Sequence, residues 1–127
     1  MEIFALIQYT IFMEILKFKT DVLVAGGSTS GVAAAIQAAR PGVNVILVEE
    51  THWLGGMLTA AGVSCVDGNH RLPSGLYGTF RDALYEYYGG PQALKTGWVS
   101  HTCFEPRVGN ELLHEMVNKE SLITIFN

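Results

Sequence analysis

The chain has 127 residues, of which 49% are hydrophobic and 16% are charged, and its formal net charge is −4. This length is enough for one small domain with a core of its own. The acidic balance excludes the strongly basic surface that is typical of nucleic-acid binding. The low charged content indicates strands that are buried on both faces, and surface that another part of a larger protein covers.

The first 16 residues are mostly apolar. We expect residues 1–17 to form a leader or an extra edge strand ahead of the domain at residues 18–127. Charged or polar side chains at Glu2, Gln8 and Glu14 interrupt the apolar run, and no small-residue cleavage site follows. The segment therefore lacks the pattern of a signal peptide. It is also too short and too polar to cross a membrane.

Two cysteines, Cys65 and Cys103, are present, and they form no C-x-x-C motif. The sequence leaves a disulfide between them as an alternative, but two reduced thiols in a cytoplasmic protein are the simpler interpretation. Since neither has a near partner in sequence, we expect both to be structural, packed thiols. The histidines have no metal-ligand spacing, which predicts no metal site, and His114 is expected on the surface of a helix.

The apolar pattern predicts the following elements in chain order: a strand at 19–25, a helix at 30–40, a strand at 43–48, helices at 75–88 and 106–119, and a strand at 122–126. Because a helix separates the first two strands, these strands must run parallel. The last strand leaves an exposed sheet edge and no substrate-binding portion. We therefore expect the front part of a longer protein.

A glycine-rich turn, Gly26-Gly-Ser-Thr-Ser-Gly31, joins the first strand to the first helix, and Glu49 follows the second strand 18 residues after Gly31. This order of elements is the dinucleotide-binding fingerprint. The pyrophosphate of a dinucleotide needs backbone N–H groups and the positive end of a helix dipole, and both occur where this helix begins. The alternative is a strand–helix turn that merely requires glycine.

Each residue of the fingerprint has an expected role. Gly26 makes the tight turn, Gly31 allows the helix to pack closely on the sheet, and Glu49 accepts hydrogen bonds from the adenosine ribose. Ser28 replaces the middle glycine of G-x-G-x-x-G, so its backbone must approach the phosphate without glycine's freedom. Its hydroxyl can donate to a phosphate oxygen, and Gly27 supplies some of the missing flexibility.

A second glycine pair, Gly55 and Gly56, follows the acid in the segment Leu54-Gly-Gly-Met-Leu-Thr59. Adjacent glycines allow a second backbone segment to press against a cofactor. A nicotinamide dehydrogenase has no special need for this, whereas the longer FAD is held from both sides. Thr59 can hydrogen-bond to such a cofactor.

These motifs resemble the N-terminal part of the FAD-dependent oxidoreductase family typified by the flavin domain of heterodisulfide reductase. The matching segments are residues 21–35, 45–49, 54–59 and 104–108, and the similarity extends over most of the chain. Family members often carry Ser or Thr in place of the middle glycine, which makes Ser28 an accepted variant. They often carry His after Glu-Pro, where this chain has Arg107, so a role of that imidazole does not carry over.

The resemblance implies an α/β fold: a Rossmann-like three-layer FAD/NAD(P)-binding fold with a parallel sheet, incomplete here. It implies FAD as the cofactor. The residues it implies for the FAD site are Gly26, Gly27, Ser28, Gly31, Glu49, Gly55, Gly56 and Met57. The neighbouring polar and apolar residues of the same motifs complete the candidate cofactor-binding set: Thr29, Ser30, Glu50, Leu54 and Thr59.

The resulting hypothesis is the FAD-binding portion of an FAD-dependent oxidoreductase, which holds the cofactor for hydride or electron transfer. The remainder of a longer flavoenzyme or a partner subunit would cover its apolar surface, with no nucleic acid and no membrane as partners. No catalytic residue is assigned, and two cysteines cannot hold a four-cysteine iron–sulfur cluster. The alternatives are an NAD-binding Rossmann domain of a dehydrogenase and a non-catalytic or truncated nucleotide-binding module.

Overall fold

The computed structural model describes residues 17–98, 100–121 and 123–126. Three strands form a parallel sheet in the order β1-β2-β3. The strands are β1 (Val22–Ala25), β2 (Val45–Val48) and β3 (Ile123–Phe126). Because all three strands are parallel, their carboxyl ends lie at one edge of the sheet, where ligands bind in folds of this class.

The three α-helices are α1 (Thr29–Ala39), α2 (Gly75–Tyr88) and α3 (Pro106–Asn118). A left-handed Gly89 ends α2, with a φ of 82°, and Pro106 starts α3 because a first-turn residue needs no free N–H. Two short 3₁₀ turns lie at Gly56–Leu58 and Pro91–Leu94. Among the described residues, no helix has the length and apolar content that crossing a bilayer needs.

The expected order of strands and helices is confirmed, but β1 begins later than the predicted residue 19. The chain ahead of β1 is held by side chains and by a backbone bond from the Asp21 N–H to the Asn44 carbonyl at 3.2 Å. Thr20 Oγ1 donates to the Asn44 carbonyl at 2.8 Å, and the Asn44 N–H donates to the Asp21 carboxylate at 3.2 Å. Residues 1–16 of the expected leader lie outside the described residues. Residue 122, the predicted start of the last strand, also lies outside them.

The core lies between one face of the sheet and α1. Val45 and Leu47 point to this face and are 1% and 0% exposed. Helix α1 meets them through small side chains, including the buried Ala35 and Ala39, so the helix axis can approach the strands closely. Helix α3 packs in turn against α1 and α2. The glycine turn at the start of α1 is thereby fixed above the sheet edge.

The opposite face of the sheet is open. Side chains alternate along a strand, which places Leu23 and Val48 on that face, and they are 64% and 41% exposed. The described residues therefore build the sheet and one helical layer of the α/β fold. The third layer that the fold class predicts is not formed by this part of the chain.

Candidate functional site

The glycine turn follows β1 at the carboxyl edge of the sheet. Gly26 has a φ of 99°, and its N–H donates to the Val48 carbonyl at 2.7 Å, which prolongs the pairing of β1 with β2. A Cβ on Gly31 would lie only 1.9 Å from the Gly26 carbonyl oxygen. Both positions therefore require glycine, one for its backbone conformation and one for space.

Ser28 caps the N-terminus of α1. Its backbone is extended, with φ −61° and ψ 172°, and its hydroxyl accepts a hydrogen bond from the Gly31 N–H at 3.3 Å. Serine is among the best residues for this role. Ser28 can therefore replace the middle glycine of the G-x-G-x-x-G motif, because its backbone has a conformation that any residue adopts. The Ser28 and Ser30 hydroxyls are 3.0 Å apart, and both residues are exposed.

Glu49 follows β2 and turns toward the glycine turn. Its Oε2 accepts from the Gly27 N–H at 2.7 Å, and its Oε1 accepts from the Thr51 N–H and hydroxyl at 3.1 and 3.0 Å. The hydrogen bond from Gly27 is the main cause that lowers the pKa of Glu49, so the carboxylate is ionised at neutral pH. A carboxylate offers about four acceptor positions, which leaves one for a ligand hydroxyl.

The second glycine pair lies directly on the glycine turn. The Gly55 N–H donates to the Gly27 carbonyl at 2.7 Å, and the Thr29 hydroxyl donates to the Gly55 carbonyl at 3.0 Å. A Cβ on Gly56 would lie 3.3 Å from the Ser28 Cα. The two glycine motifs therefore form one continuous backbone surface beside Glu49.

Helix α3 anchors this second motif from the far side. The Leu54 N–H donates to Asn110 Oδ1 at 2.8 Å, and a Cβ on Gly55 would lie 2.6 Å from Leu113 Cδ1. One turn after Asn110, the ring of His114 lies 3.3 Å from the His52 carbonyl oxygen. His114 is half-buried, and this contact lies at the surface of α3, where His114 was expected.

Sequence reasoning did not assign Asn110 to the site. The available signal was an amide side chain inside a helix, where asparagine is unfavourable unless it has a partner. The partner is 56 residues away in sequence, so the helix pattern by itself does not reveal it.

The structure separates the expected site residues by exposure. Those on the open surface are Ser28, Thr29, Ser30, Glu50 and Met57; those half-buried are Gly26, Gly31, Glu49 and Gly56; those buried are Gly27, Leu54, Gly55 and Thr59. Thr59 is 1% exposed, and its hydroxyl donates to the Leu54 carbonyl at 2.5 Å. Thr59 thus closes the turn that carries the second glycine pair, and its hydroxyl proton is used within the protein.

An apolar cavity of about 430 Å³ opens beside the start of α1. Thr29 and Ser30 stand at its border, and its walls are apolar side chains of α1, α2, α3 and the loops, among them Val32, Leu58, Val66, Leu76, Phe80 and Met116. Such walls do not suit a pyrophosphate, which needs N–H donors. This cavity is therefore unsuited to the charged part of a dinucleotide.

No cluster of three metal-ligating side chains occurs within the described ranges. The two cysteines are neighbours: their Sγ atoms are 2.7 Å apart, and the thiols are free. Their positions differ by 38 residues, and it is the folding of the loops that brings them together.

Residues 21–127 match the model of a protein family described as FAD dependent oxidoreductase. The chain belongs to this family. The match confirms the resemblance inferred from the glycine motifs, and it indicates FAD as the cofactor. The glycine turn, the ionised Glu49 and the docked second motif all lie inside the matched range.

The chain is also similar to the alpha subunit of sarcosine oxidase from Corynebacterium sp. (strain U-96), with 45% identity over 49 residues. The same protein of Corynebacterium sp. (strain P-1) gives the same values. The match covers 39% of this chain and 5% of each relative. The chain therefore spans only a small part of the length of these curated relatives.

The crystal structure of Thermovibrio ammonificans THI4 has a similar fold, with a TM-score of 0.54 and 22% sequence identity. The superposition covers 99% of this chain and 45% of that chain. At this level of identity the likeness concerns the fold. It confirms the α/β Rossmann-like class that the order of strands, turn and helix predicted.

Proposed function

We propose that this chain is the FAD-binding portion of an FAD-dependent oxidoreductase and that it holds the cofactor for hydride or electron transfer. The observation that carries the proposal is the contact between the two glycine motifs. The Gly55 N–H is bonded to the Gly27 carbonyl at 2.7 Å, next to the ionised Glu49. This arrangement combines a phosphate-binding turn and a ribose-binding acid with a second backbone segment that an extended dinucleotide can contact.

The start of α1 is the proposed pyrophosphate site. Its first-turn N–H groups and the positive end of its dipole attract the phosphates. Three exposed residues that carry hydroxyl groups lie there: Ser28, Thr29 and Ser30. The close packing of α1 on the turn depends on Gly31, because a side chain there would collide with the Gly26 carbonyl. Ser28 and Ser30 can donate to phosphate oxygens while Ser28 keeps the helix capped.

Glu49 is the proposed ribose ligand. Its carboxylate is fixed by the Gly27 and Thr51 N–H groups and keeps an acceptor position for an adenosine hydroxyl. The same negative charge would repel a 2′-phosphate, which disfavours NADP as an alternative ligand. Glu50 and Met57 are exposed beside it, and we propose that they line the rim of the site.

The buried members of the expected set hold the site in shape. Leu54 and Thr59 form the turn that presents Gly55 and Gly56, and Asn110 ties this turn to α3. When bound, FAD supplies the hydride or electron-pair chemistry, while these residues bind and orient it. No residue of the chain is assigned a catalytic step.

We also propose that the remainder of a longer flavoenzyme, or a partner subunit, supplies the substrate site. Leu23, Val48 and Trp98 are 64%, 41% and 101% exposed, which is apolar surface suited to a protein contact. A reducing compartment such as the cytoplasm is the proposed location, because two cysteines without a C-x-x-C motif do not make a disulfide-rich scaffold.

The decisive experiment is a titration of the purified full chain with FAD, followed by visible absorption and thermal melting. Bound oxidised flavin gives bands near roughly 370 and 450 nm, and ligand binding raises the melting temperature. We expect saturable FAD binding and a higher melting temperature with FAD than with NAD. A shift with NAD alone would favour a dehydrogenase domain, and no shift with either would favour a non-catalytic module.

A further inference from the structure

The two cysteines face each other across a short antiparallel pairing of two loops. The Phe104 N–H donates to the Ser64 carbonyl at 3.0 Å, and the Val66 N–H donates to the Thr102 carbonyl at 3.0 Å. Cys65 and Cys103 are the central residues of this pairing. The bonds flank them, so they form a non-hydrogen-bonded pair, in which the Cα atoms are about 4.5 Å apart and the side chains are close.

This backbone geometry suits a covalent link. Disulfides connect residues whose Cα atoms are about 4.4–6.8 Å apart and whose Cβ atoms point toward each other. Here the two Sγ atoms are 2.7 Å apart, and both residues are half-buried, so a small oxidant in solvent has access. A thiol pair with this register needs no movement of the backbone to close.

We propose that Cys65 and Cys103 form a reversible disulfide, which makes this loop pairing a redox-responsive cross-link. The oxidant is a small-molecule disulfide. The Cys103 thiolate attacks one sulfur of the oxidant, which forms a mixed disulfide and releases one thiolate. Cys65 then loses its proton and attacks Cys103, which forms the Cys65–Cys103 bond and releases the second thiolate. Two electrons pass from the protein dithiol to the oxidant, which becomes two thiols.

The surroundings of the pair assign these two roles. Burial acts to raise the pKa of Cys103, but hydrogen bonds from the Cys65 thiol and from Ser100, Thr96 and Gly97 outweigh it and lower that pKa. The hydrogen bond to Cys103, together with burial, raises the pKa of Cys65 to about 11. Cys103 is therefore the first to ionise, and Cys65 is the thiol that completes the exchange.

The cross-link would join the loop after the second glycine motif to the segment that leads into α3. The Cys103 N–H is bonded to the Leu94 carbonyl at 3.1 Å. A Cβ on Gly97 would lie 2.9 Å from Cys103 Sγ, so the segment that leads into α3 packs closely against this sulfur. The bond closes a loop of 38 residues, and closing a loop of that size restricts the unfolded chain. Oxidation should therefore stabilise the fold.

The test uses the full chain, incubated with oxidised glutathione, trapped by alkylation and measured by intact mass and non-reducing peptide mapping. We expect a product two hydrogens lighter than the dithiol, one peptide pair linked through Cys65 and Cys103, and full reversal by dithiothreitol. The melting temperature of the oxidised form should be several degrees higher than that of the reduced form.

Three variants make the result specific. Cys65→Ser should retain a stable mixed disulfide with glutathione on Cys103, because the second attack is lost. Cys103→Ser should react much more slowly, and the double variant should melt at one temperature in both redox conditions. The proposal is overturned if the wild-type chain keeps two free thiols or ends with two glutathione adducts.

Discussion

Two glycine-containing segments meet at the proposed FAD site, and they are held in different ways. The turn from Gly26 to Gly31 is fixed by its own neighbours: the Gly26 N–H extends the strand pairing, and Ser28 caps the helix that follows. The segment Leu54–Thr59 is fixed by residues distant in sequence: by Asn110 and Leu113 of α3, and by Gly27 and Thr29 of the turn itself. One segment is therefore a local structure, and the other depends on tertiary packing.

Because the two segments are held by different contacts, substitutions in them should have different effects on FAD binding and on stability. The local turn is built by β1, α1 and β2, whereas the second motif is also held by α3. Changes in the turn should remove phosphate binding directly. Changes at α3 should loosen the second motif and leave the turn in place.

The largest effect is expected for Gly31→Val. A Cβ at this position would lie 1.9 Å from the Gly26 carbonyl oxygen, and valine adds two further methyl groups. We expect FAD binding to be lost, measured by the absorption titration and by thermal melting. Ala34→Val adds the same methyl groups to an exposed position of the same helix and should bind FAD as the wild type does. Unchanged affinity in Gly31→Val would remove the turn from the site.

Gly55→Ala should have the next largest effect, because two penalties add. Gly55 has a φ of 108°, and its Cβ would lie 2.6 Å from Leu113 Cδ1. Gly42→Ala is the matched control, since Gly42 has a similar φ of 94° and its Cβ would meet nothing within 4 Å. Backbone strain of about 1–2 kcal/mol is expected in both variants, and the collision is present only in Gly55→Ala. Equal loss of unfolding free energy in the two variants would contradict tight docking of the second motif.

Asn110→Ala should have a moderate effect, because it leaves the Leu54 N–H without its acceptor at 2.8 Å. An unsatisfied donor costs about 1–3 kcal/mol, which chemical denaturation can measure. Asn110→Asp keeps an acceptor oxygen and should stay closer to the wild type. Asn118→Ala changes an exposed residue of the same helix and serves as the control. If Asn118→Ala destabilises as much, the hydrogen bond to Leu54 is not the cause.

The smallest effect is expected at Ser28, where the backbone requires no glycine. Ser28→Ala removes the cap of α1 and should cost about 0.5–2 kcal/mol, whereas Ser28→Gly should cost only a few tenths. Thermal melting of the two variants gives this order. A gain in stability with Ser28→Ala would show that the hydroxyl does not cap α1 through the Gly31 N–H.

The contrast between the two segments also explains what the sequence could predict. The strand, the turn, the helix and Glu49 follow one another within a short stretch, so their pattern predicts their structure and their ligand class. Gly55 and Gly56 could be recognised as a close backbone contact, but their immediate partners in this structure are Gly27, Ser28 and Leu113.

The contacts that the sequence pattern does not specify join distant parts of the chain. Asn110 meets Leu54 across 56 residues, and Cys65 meets Cys103 across 38. No local periodicity encodes such pairs, because they arise from how the loops fold back on α3. The burial of Thr59 is a further example. Its hydroxyl was expected to hydrogen-bond to a cofactor, but in the folded chain it donates to the Leu54 carbonyl.

The central claim is that FAD contacts both glycine segments at the carboxyl edge of the sheet. The most direct test is a titration of the ¹⁵N-labelled chain with FAD, followed by NMR of the backbone amides. Most amides between Gly26 and Gly31, together with those of Gly55 and Gly56, should shift in one saturable process, while Asn118 and Lys119 at the far end of α3 should not. Saturable binding that leaves the amides of both glycine segments unshifted would contradict the claim.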